Sequence, residues 1–254
     1  MSTTKGVPKR HHYRSRFYLN KFTINNSLIA IDLKQSKILS NCDPINFCVE
    51  KHFNTVEADG FESTVVETML SKHEKLAANA ITALENGAQF KNEIKGDILR
   101  LITMFAIQSP KRRKLWAKTE VDMYKALWDS IKAQWLTAQL GTQVHDLEVT
   151  QELKDILPFL QVEVSLITTS RHISLELSAA EMIFKLLMKR SWTVIYAPNN
   201  ADFITSEEPV MLYWKNNESR QLPRFALMNT QVMVPLTKKI ALVGDFGGIE
   251  HTQH

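Results

Sequence analysis

The stretch His11-His12-Tyr13-Arg14-Ser15-Arg16-Phe17-Tyr18-Leu19-Asn20-Lys21-Phe22 combines two histidines, four aromatic rings and three basic residues within twelve positions. Residues 1–21 contain six basic residues and no acid, so this end of the chain is strongly positive. Aromatic rings are costly to leave in water, and we therefore expect Phe17, Leu19 and Phe22 to anchor the segment on a core. An anchored basic segment holds its charges still, as a site for an anion or a carboxylate requires.

Length and composition indicate an ordinary globular protein. The chain has 254 residues, of which 44% are hydrophobic and 23% charged, and its formal net charge is +4. The excess of positive charge is concentrated at the N-terminus, where residues 1–10 read as a basic tail. Polyanions such as nucleic acid are therefore candidate partners, although the net charge alone is weak support for them.

The chain shows no sign of export or of membrane insertion. The polar, basic start lacks the apolar core of a signal peptide, and no apolar run reaches the roughly 18–20 residues of a membrane span. Cys42 and Cys48 are six positions apart without a well-spaced histidine pair, so they do not form a zinc motif. We expect a cytoplasmic protein with reduced thiols and no membrane partner.

Hydrophobic periodicity predicts a helical middle region. Turn sequences such as Asn25–Ser27 and Asn41–Pro44 predict short strands within residues 23–55. Apolar residues then recur at helical spacing in four segments, Phe61–Leu84, Asn92–Gln108, Lys111–Leu140 and Ser174–Arg190. Pro110 separates the second and third of these helices, because a proline disfavours helical geometry at the residue before it.

From Trp192 onward the pattern becomes that of short strands. We predict strands at Trp192–Tyr196, Phe203–Thr205, Val210–Trp214, Phe225–Leu227, Gln231–Pro235 and Ile240–Val243, which proline and asparagine clusters separate. The chain contains no strand, Gly-rich loop and helix in succession, which argues against a doubly wound parallel sheet. We therefore predict a single α+β domain over residues 1–254. Its helical region, 61–190, packs on an antiparallel sheet formed by residues 191–254 and the short strands of residues 11–60.

Several motifs resemble those of one bacterial family, known as domain of unknown function 4238. His12-Tyr13-x-x-Arg16-Phe17-Tyr18-Leu19-x-x-Phe22 resembles its opening signature, and Val66-Glu67-x-x-Leu70-x-x-x-Glu74 resembles its paired-glutamate helix. Phe203–Val210 resembles its Thr-Ser-Asp-Asn-Pro-Val motif, with Glu207 at the Asp position. Phe105–Arg113 and Pro235-Leu236 are weaker matches. The resemblance spans residues 11 to about 240 and implies a shared fold and shared polar positions, with no established activity.

The polar positions of the resemblance suggest a phosphoester-cleaving site. Histidine with several carboxylates suits a phosphodiesterase assisted by Mg²⁺ or Mn²⁺. Glu67 and Glu74 are seven positions apart, about two helical turns, so both project in nearly the same direction from their helix. The predicted catalytic residues are His12, Glu67, Glu74 and Glu207; Glu67 and Glu74 are the predicted metal ligands; and the predicted binding residues are Arg16, Gln108, Arg113 and Ser206.

Two hypotheses from different functional classes follow. The first is a metal-assisted phosphodiesterase or nuclease acting in bacterial stress or anti-phage defence, in which His12, Arg16, the two helical glutamates and Ser206-Glu207 converge. The second is a non-catalytic module that binds nucleic acid, a protein partner or another copy of itself through the basic segment and the Trp-rich helix. In that case Arg16 pairs with Glu67 or Glu74 in a structural salt-bridge knot, and Ser206 caps the turn that Pro209 stiffens.

Overall fold

The structure is a computed structural model that describes residues 10–56, 62–140, 169–215, 222–248 and 251–253. Its contacts divide the chain into two compact units. The first unit joins Met1–Pro110 to Thr169–His254, and the second, Lys111–Thr168, is inserted between these two parts in the sequence. The single continuous domain stays a prediction.

The N-terminal part of the first unit consists of short elements joined by tight turns. It contains β1 (Arg10–His12), α1 (Arg16–Asn20), β2 (Leu28–Asp32), β3 (Lys37–Cys42), a 3-10 helix (Pro44–Asn46) and β4 (Val49–Lys51). β1 pairs antiparallel with β4, and β2 pairs antiparallel with β3. Asn25 and Asn26, at φ 49° and 62°, make the turn before β2, as their tolerance of positive φ predicts.

The predicted helices are present with small changes at their ends. They are α2 (Val65–Glu85), α3 (Asn92–Ile107), α4 (Pro110–Leu140) and α5 (Thr169–Met188). The chain leaves helical geometry at Gln108, two residues before Pro110, where ψ is 106°. α3 packs against both α2 and α5 within the first unit. Phe61 and Gly141, the predicted start of α2 and stop of α4, lie outside the described residues.

The C-terminal part forms the main sheet. Its strands are β5 (Ser191–Tyr196), β6 (Met211–Trp214), β7 (Thr230–Pro235), β8 (Ile240–Asp245) and β9 (His251–Gln253), in the order β6-β7-β8-β5-β9. The β6–β7, β7–β8 and β8–β5 pairs are antiparallel, while β5 and β9 run parallel. The short N-terminal strands form two-stranded sheets of their own. The α+β prediction with antiparallel sheets is confirmed.

The core of the first unit joins the N-terminal segment, the helices and the main sheet in one apolar cluster. The N-terminal segment contributes Tyr18, Leu19 and Phe22, all buried, while Phe17 is only partly buried. A Cβ atom at Gly244 would lie 2.7 Å from the ring of Trp192, so only glycine lets β8 pass this buried side chain. Further members of the cluster are Ala77, Ile81, Leu84, Ile98, Ile102, Phe105, Val194, Val234 and Leu242.

Two of the predicted strands are not strands. Phe203–Thr205 runs outside the named strands, although the Phe203 N–H donates to the Lys238 carbonyl at 2.7 Å, and residues 225–227 lie in a turn region. At residues 225–227 the backbone is hydrogen-bonded to a buried arginine side chain and not to a neighbouring strand. The Arg190 guanidinium donates to the carbonyls of Phe225 and Thr230 at 2.8 and 2.6 Å.

The second unit is described over α4, whose apolar residues are largely accessible. Met123, Leu127 and Ile131 follow one another at four-residue spacing and are 56%, 55% and 45% exposed. Helical spacing predicted an apolar face on this helix, and these three residues of that face are accessible. Among the described helices, none is both long enough and apolar enough to cross a bilayer.

Candidate functional site

A buried arginine, Arg14, joins three parts of the first unit. Its Nε donates to the Glu207 carbonyl at 2.8 Å, and its Nη1 donates to the carbonyls of Tyr13, at 2.7 Å, and Gln108. The rings of Tyr13 and Phe105 lie 5.6 and 5.3 Å from its guanidinium carbon. Burial lowers the pKa of Arg14 to about 10, so the side chain remains a cation at neutral pH. We call this arrangement the Arg14 clamp.

Tyr18 and Ser109 reinforce the clamp. The Tyr18 hydroxyl donates to the Pro235 carbonyl at 2.8 Å, which leaves its oxygen to accept from the Thr205 hydroxyl at 2.6 Å. The Ser109 hydroxyl donates to Glu208 Oε1 at 2.8 Å. Residues 203–210 are therefore tied to the N-terminal segment and to the end of α3, even though they contribute no strand to the main sheet.

The clamp uses one predicted binding residue, Gln108, and one predicted catalytic residue, Glu207, in both cases through the backbone. Gln108 and Glu207 each accept from Arg14 with the carbonyl oxygen, and the Glu207 side chain is exposed. The Ser206 hydroxyl accepts from the Glu208 N–H at 3.2 Å, a short-range turn contact. Arg113 lies in the first turn of α4 and belongs to the second unit. The functional roles of these side chains stay predictions.

A hydrogen-bonded chain leads from β1 to α2 through Asn54. The Asn54 N–H donates to His11 Nδ1 at 2.8 Å, and its side-chain Nδ2 donates to Glu67 Oε1 at 2.8 Å. His11 Nδ1 also lies 3.5 Å from Glu67 Oε1. Because Nδ1 accepts the Asn54 N–H, this nitrogen has no hydrogen of its own to donate to Glu67. The 3.5 Å approach is therefore not a hydrogen bond between His11 and Glu67. Asn54 therefore makes the direct link to Glu67.

Glu67 and Glu74 lie close enough on α2 to influence each other, as their spacing predicts. Burial, and after it the negative charge of Glu67, raises the pKa of Glu74 to about 7. The two side chains are partly buried, at the margin of the core. We call them the acidic pair. Two neighbouring carboxylates of this kind stabilise a proton or a cation between them.

His12 lies within electrostatic reach of Glu67 and of Arg16. Burial lowers the pKa of His12, and the charges of Arg10 and Arg16 act in the same direction; the Phe47 carbonyl and Glu67 oppose them. Arg16 itself is exposed on α1. Glu67 is thus coupled to Glu74 and to His12, and the convergence of these residues with Arg16 stays a prediction, whereas the Glu207 backbone belongs to the Arg14 clamp.

Sequence reasoning missed three residues that organise these regions: His11, Arg14 and Asn54. His11 lies directly before His12, and Arg14 lies two positions before Arg16. His12 and Arg16 were the residues predicted for the site. Alternation along β1 could have signalled that neighbouring residues face opposite ways, but not which of them faces inward. For Asn54 the sequence carries no such signal.

The acidic pair can hold a hard cation only with further oxygen ligands. Within the described ranges, no group of three or more His, Cys, Asp or Glu side chains is placed to bind a metal ion. Mg²⁺ is compatible with such a site, since it is commonly held by one or two carboxylates together with water and substrate phosphate. The metal assignment of Glu67 and Glu74 stays a prediction.

Comparison with known proteins identifies a family but no characterised relative. No curated protein and no solved structure matches the chain. The model of the family described as "Protein of unknown function (DUF4238)" matches residues 10–254, which include the opening stretch, the acidic pair and the clamp. The chain therefore belongs to the DUF4238 family.

Proposed function

We propose that the protein is a phosphodiesterase, most simply a nuclease, assisted by Mg²⁺ or Mn²⁺ at the acidic pair. The observation that supports this proposal is that Glu67 interacts electrostatically both with Glu74 on the same helix and with His12 of the N-terminal segment. Carboxylates supply the oxygen ligands that Mg²⁺ prefers, and arginines hold phosphate oxygens through their planar donors. The donor set therefore suits the cation and the substrate class.

Each of the four residues has a distinct role in this proposal. Glu67, which Asn54 orients, and Glu74 would hold the cation. The bound cation would neutralise charge on the phosphate and polarise the bond that is attacked. Because burial lowers the pKa of His12, its imidazole is neutral near pH 7 and can accept a proton from the attacking water. The exposed Arg16 would contact the phosphate.

The test is hydrolysis of labelled single-stranded DNA and RNA in Mg²⁺, in Mn²⁺ and in a chelator. We expect metal-dependent cleavage that falls at least about tenfold in Glu67→Gln and Glu74→Gln. Glu93→Gln, an exposed glutamate in the first turn of α3, serves as the matched control and keeps full activity. Cleavage that persists in the chelator, or in both acidic-pair variants, would contradict the proposal.

A second candidate is a binding module without catalysis, and the surface of α4 favours it. The accessible stripe of Met123, Leu127 and Ile131 lies on the helix that begins with the cations Lys111 and Arg112. A basic helix with an accessible apolar stripe suits a nucleic acid or a protein partner. Binding of nucleic acid that weakens steeply with salt and needs no metal would favour this candidate over the enzyme.

A further inference from the structure

Asn54 is a fully enclosed asparagine in direct contact with the acidic pair. Its side chain is 0% exposed, and both of its nitrogen donors are used. The backbone N–H donates to His11 Nδ1, and Nδ2 donates to Glu67 Oε1, each at 2.8 Å. These two contacts fix the amide between β1 and α2, so its remaining polar atom, Oδ1, has a defined position.

Among the described residues, no donor reaches Asn54 Oδ1, although the atom is buried. Buried carbonyl oxygens nearly always have a partner, and an exception calls for a water or an ion that fills the position. Oδ1 belongs to the same amide group as Nδ2, which donates to the Glu67 carboxylate at 2.8 Å. Amide oxygens are established ligands of hard divalent cations, alongside carboxylates.

We propose that Asn54 Oδ1 is a third oxygen ligand for the divalent cation of the acidic pair. This inference rests on the proposed function and extends it by a residue that carries no charge. His11 takes no part as a ligand through Nδ1, since that atom accepts the Asn54 N–H; it holds the backbone of Asn54 in place. The competing role for Asn54 is only to orient Glu67 through Nδ2.

The two roles make opposite predictions for Asn54→Asp, which loses the Nδ2 donor but keeps an oxygen in place of Oδ1. We propose to measure Mn²⁺ binding to the full chain by calorimetry, with Asn54→Ala, Asn54→Asp and the exposed Asn79→Ala compared with the unaltered protein. If Oδ1 is a ligand, Asn54→Ala weakens Mn²⁺ binding at least about tenfold, while Asn54→Asp stays within about threefold. Asn79→Ala leaves the affinity unchanged.

A second readout is the melting temperature of the same variants with and without Mn²⁺. Aspartate beside Glu67 adds a like charge, so Asn54→Asp should melt below the unaltered protein in a chelator and recover when Mn²⁺ is added. If Asn54→Ala does not fold, Asn54→Ser takes its place.

Three outcomes would overturn the inference, and they differ in what else they exclude. If Asn54→Asp binds Mn²⁺ as weakly as Asn54→Ala, the amide only orients Glu67. If Asn54→Ala binds as tightly as the unaltered protein, Asn54 has neither role, and the acidic pair can still be the metal site. If the unaltered protein binds no Mn²⁺, the metal-assisted function fails and the inference fails with it.

Discussion

The Arg14 clamp and the acidic pair are built on opposite principles. In the clamp a buried cation donates from Nε and Nη1 to three backbone carbonyls and lies against aromatic rings, while its buried Nη2 has no hydrogen-bond partner among the described residues. In the acidic pair two carboxylates are neighbours, and burial together with Glu67 raises the pKa of Glu74. A satisfied charge stabilises a structure, whereas an uncompensated one favours a ligand. The Arg14 clamp therefore stabilises the fold, and the acidic pair is the stronger candidate for binding a ligand.

The largest expected effect is on the clamp. Replacing Arg14 with Met should lower the free energy of unfolding by about 3–5 kcal/mol, because buried carbonyls from three segments lose their donor. Arg16→Met, two residues away and exposed, should change it by less than about 0.5 kcal/mol. Urea denaturation of both variants measures the difference. Equal effects at the two positions would show that the clamp does not hold the fold.

A smaller effect is expected at Tyr18, which reinforces the clamp through its hydroxyl. Tyr18→Phe keeps the ring and leaves the Pro235 carbonyl without its donor, at a cost of about 1–3 kcal/mol. Tyr213→Phe, in the partly exposed strand β6, is the control, and we expect less than about 0.5 kcal/mol there. Thermal unfolding followed by circular dichroism compares the two. A Tyr18→Phe protein as stable as the control would remove Tyr18 from the clamp.

The acidic pair should instead reveal itself through pH. Between pH 4.5 and about 7, folded Glu74 keeps a proton that the unfolded chain releases, so the free energy of unfolding falls as pH rises. Because Glu74 is partly exposed, we expect its share of that fall to be about 1–2 kcal/mol from pH 5 to 8 without metal. Glu74→Gln should give a flatter profile, while Glu93→Gln follows the unaltered protein. Parallel profiles for all three would contradict an interacting pair.

The smallest effect separates the Glu207 side chain from its backbone. The clamp uses only the carbonyl of Glu207, so Glu207→Ala should change the free energy of unfolding by less than about 0.5 kcal/mol. Glu208→Ala removes the acceptor of Ser109 and should destabilise by about 1 kcal/mol. Chemical denaturation gives both values. A loss of the proposed nuclease activity in stable Glu207→Ala would return that side chain to the predicted catalytic residues.

Local patterns predicted most of the fold, and long-range contacts account for what they missed. The spacing of apolar residues located α2, α3 and α5, and alternation located β5, β7 and β8. The strand predicted at residues 225–227 is absent because the Phe225 carbonyl accepts a hydrogen bond from the Arg190 guanidinium. These two residues are 35 positions apart, so local sequence could not reveal the contact.

The candidate site was predictable only in part for the same reason. The seven-residue spacing placed Glu67 and Glu74 together, because helix geometry alone decides that relation. Choosing Arg14 over Arg16 depends on which of two similar side chains the completed core encloses. Asn54 acquires its importance from His11 and Glu67, and neither relation is visible as a motif.

The reach of the clamp along the chain has a consequence for synthesis. Arg14 binds a carbonyl 193 residues later, and Tyr18 binds one 217 residues later. At typical translation rates, the partner of Arg14 emerges roughly 10–40 s after Arg14 itself. Until then Arg14 can reach only its earlier acceptors, the carbonyls of Tyr13 and Gln108, and the Tyr18 hydroxyl lacks its Pro235 acceptor. Residues 14 and 18 are therefore among the described residues that complete their native contacts late in synthesis.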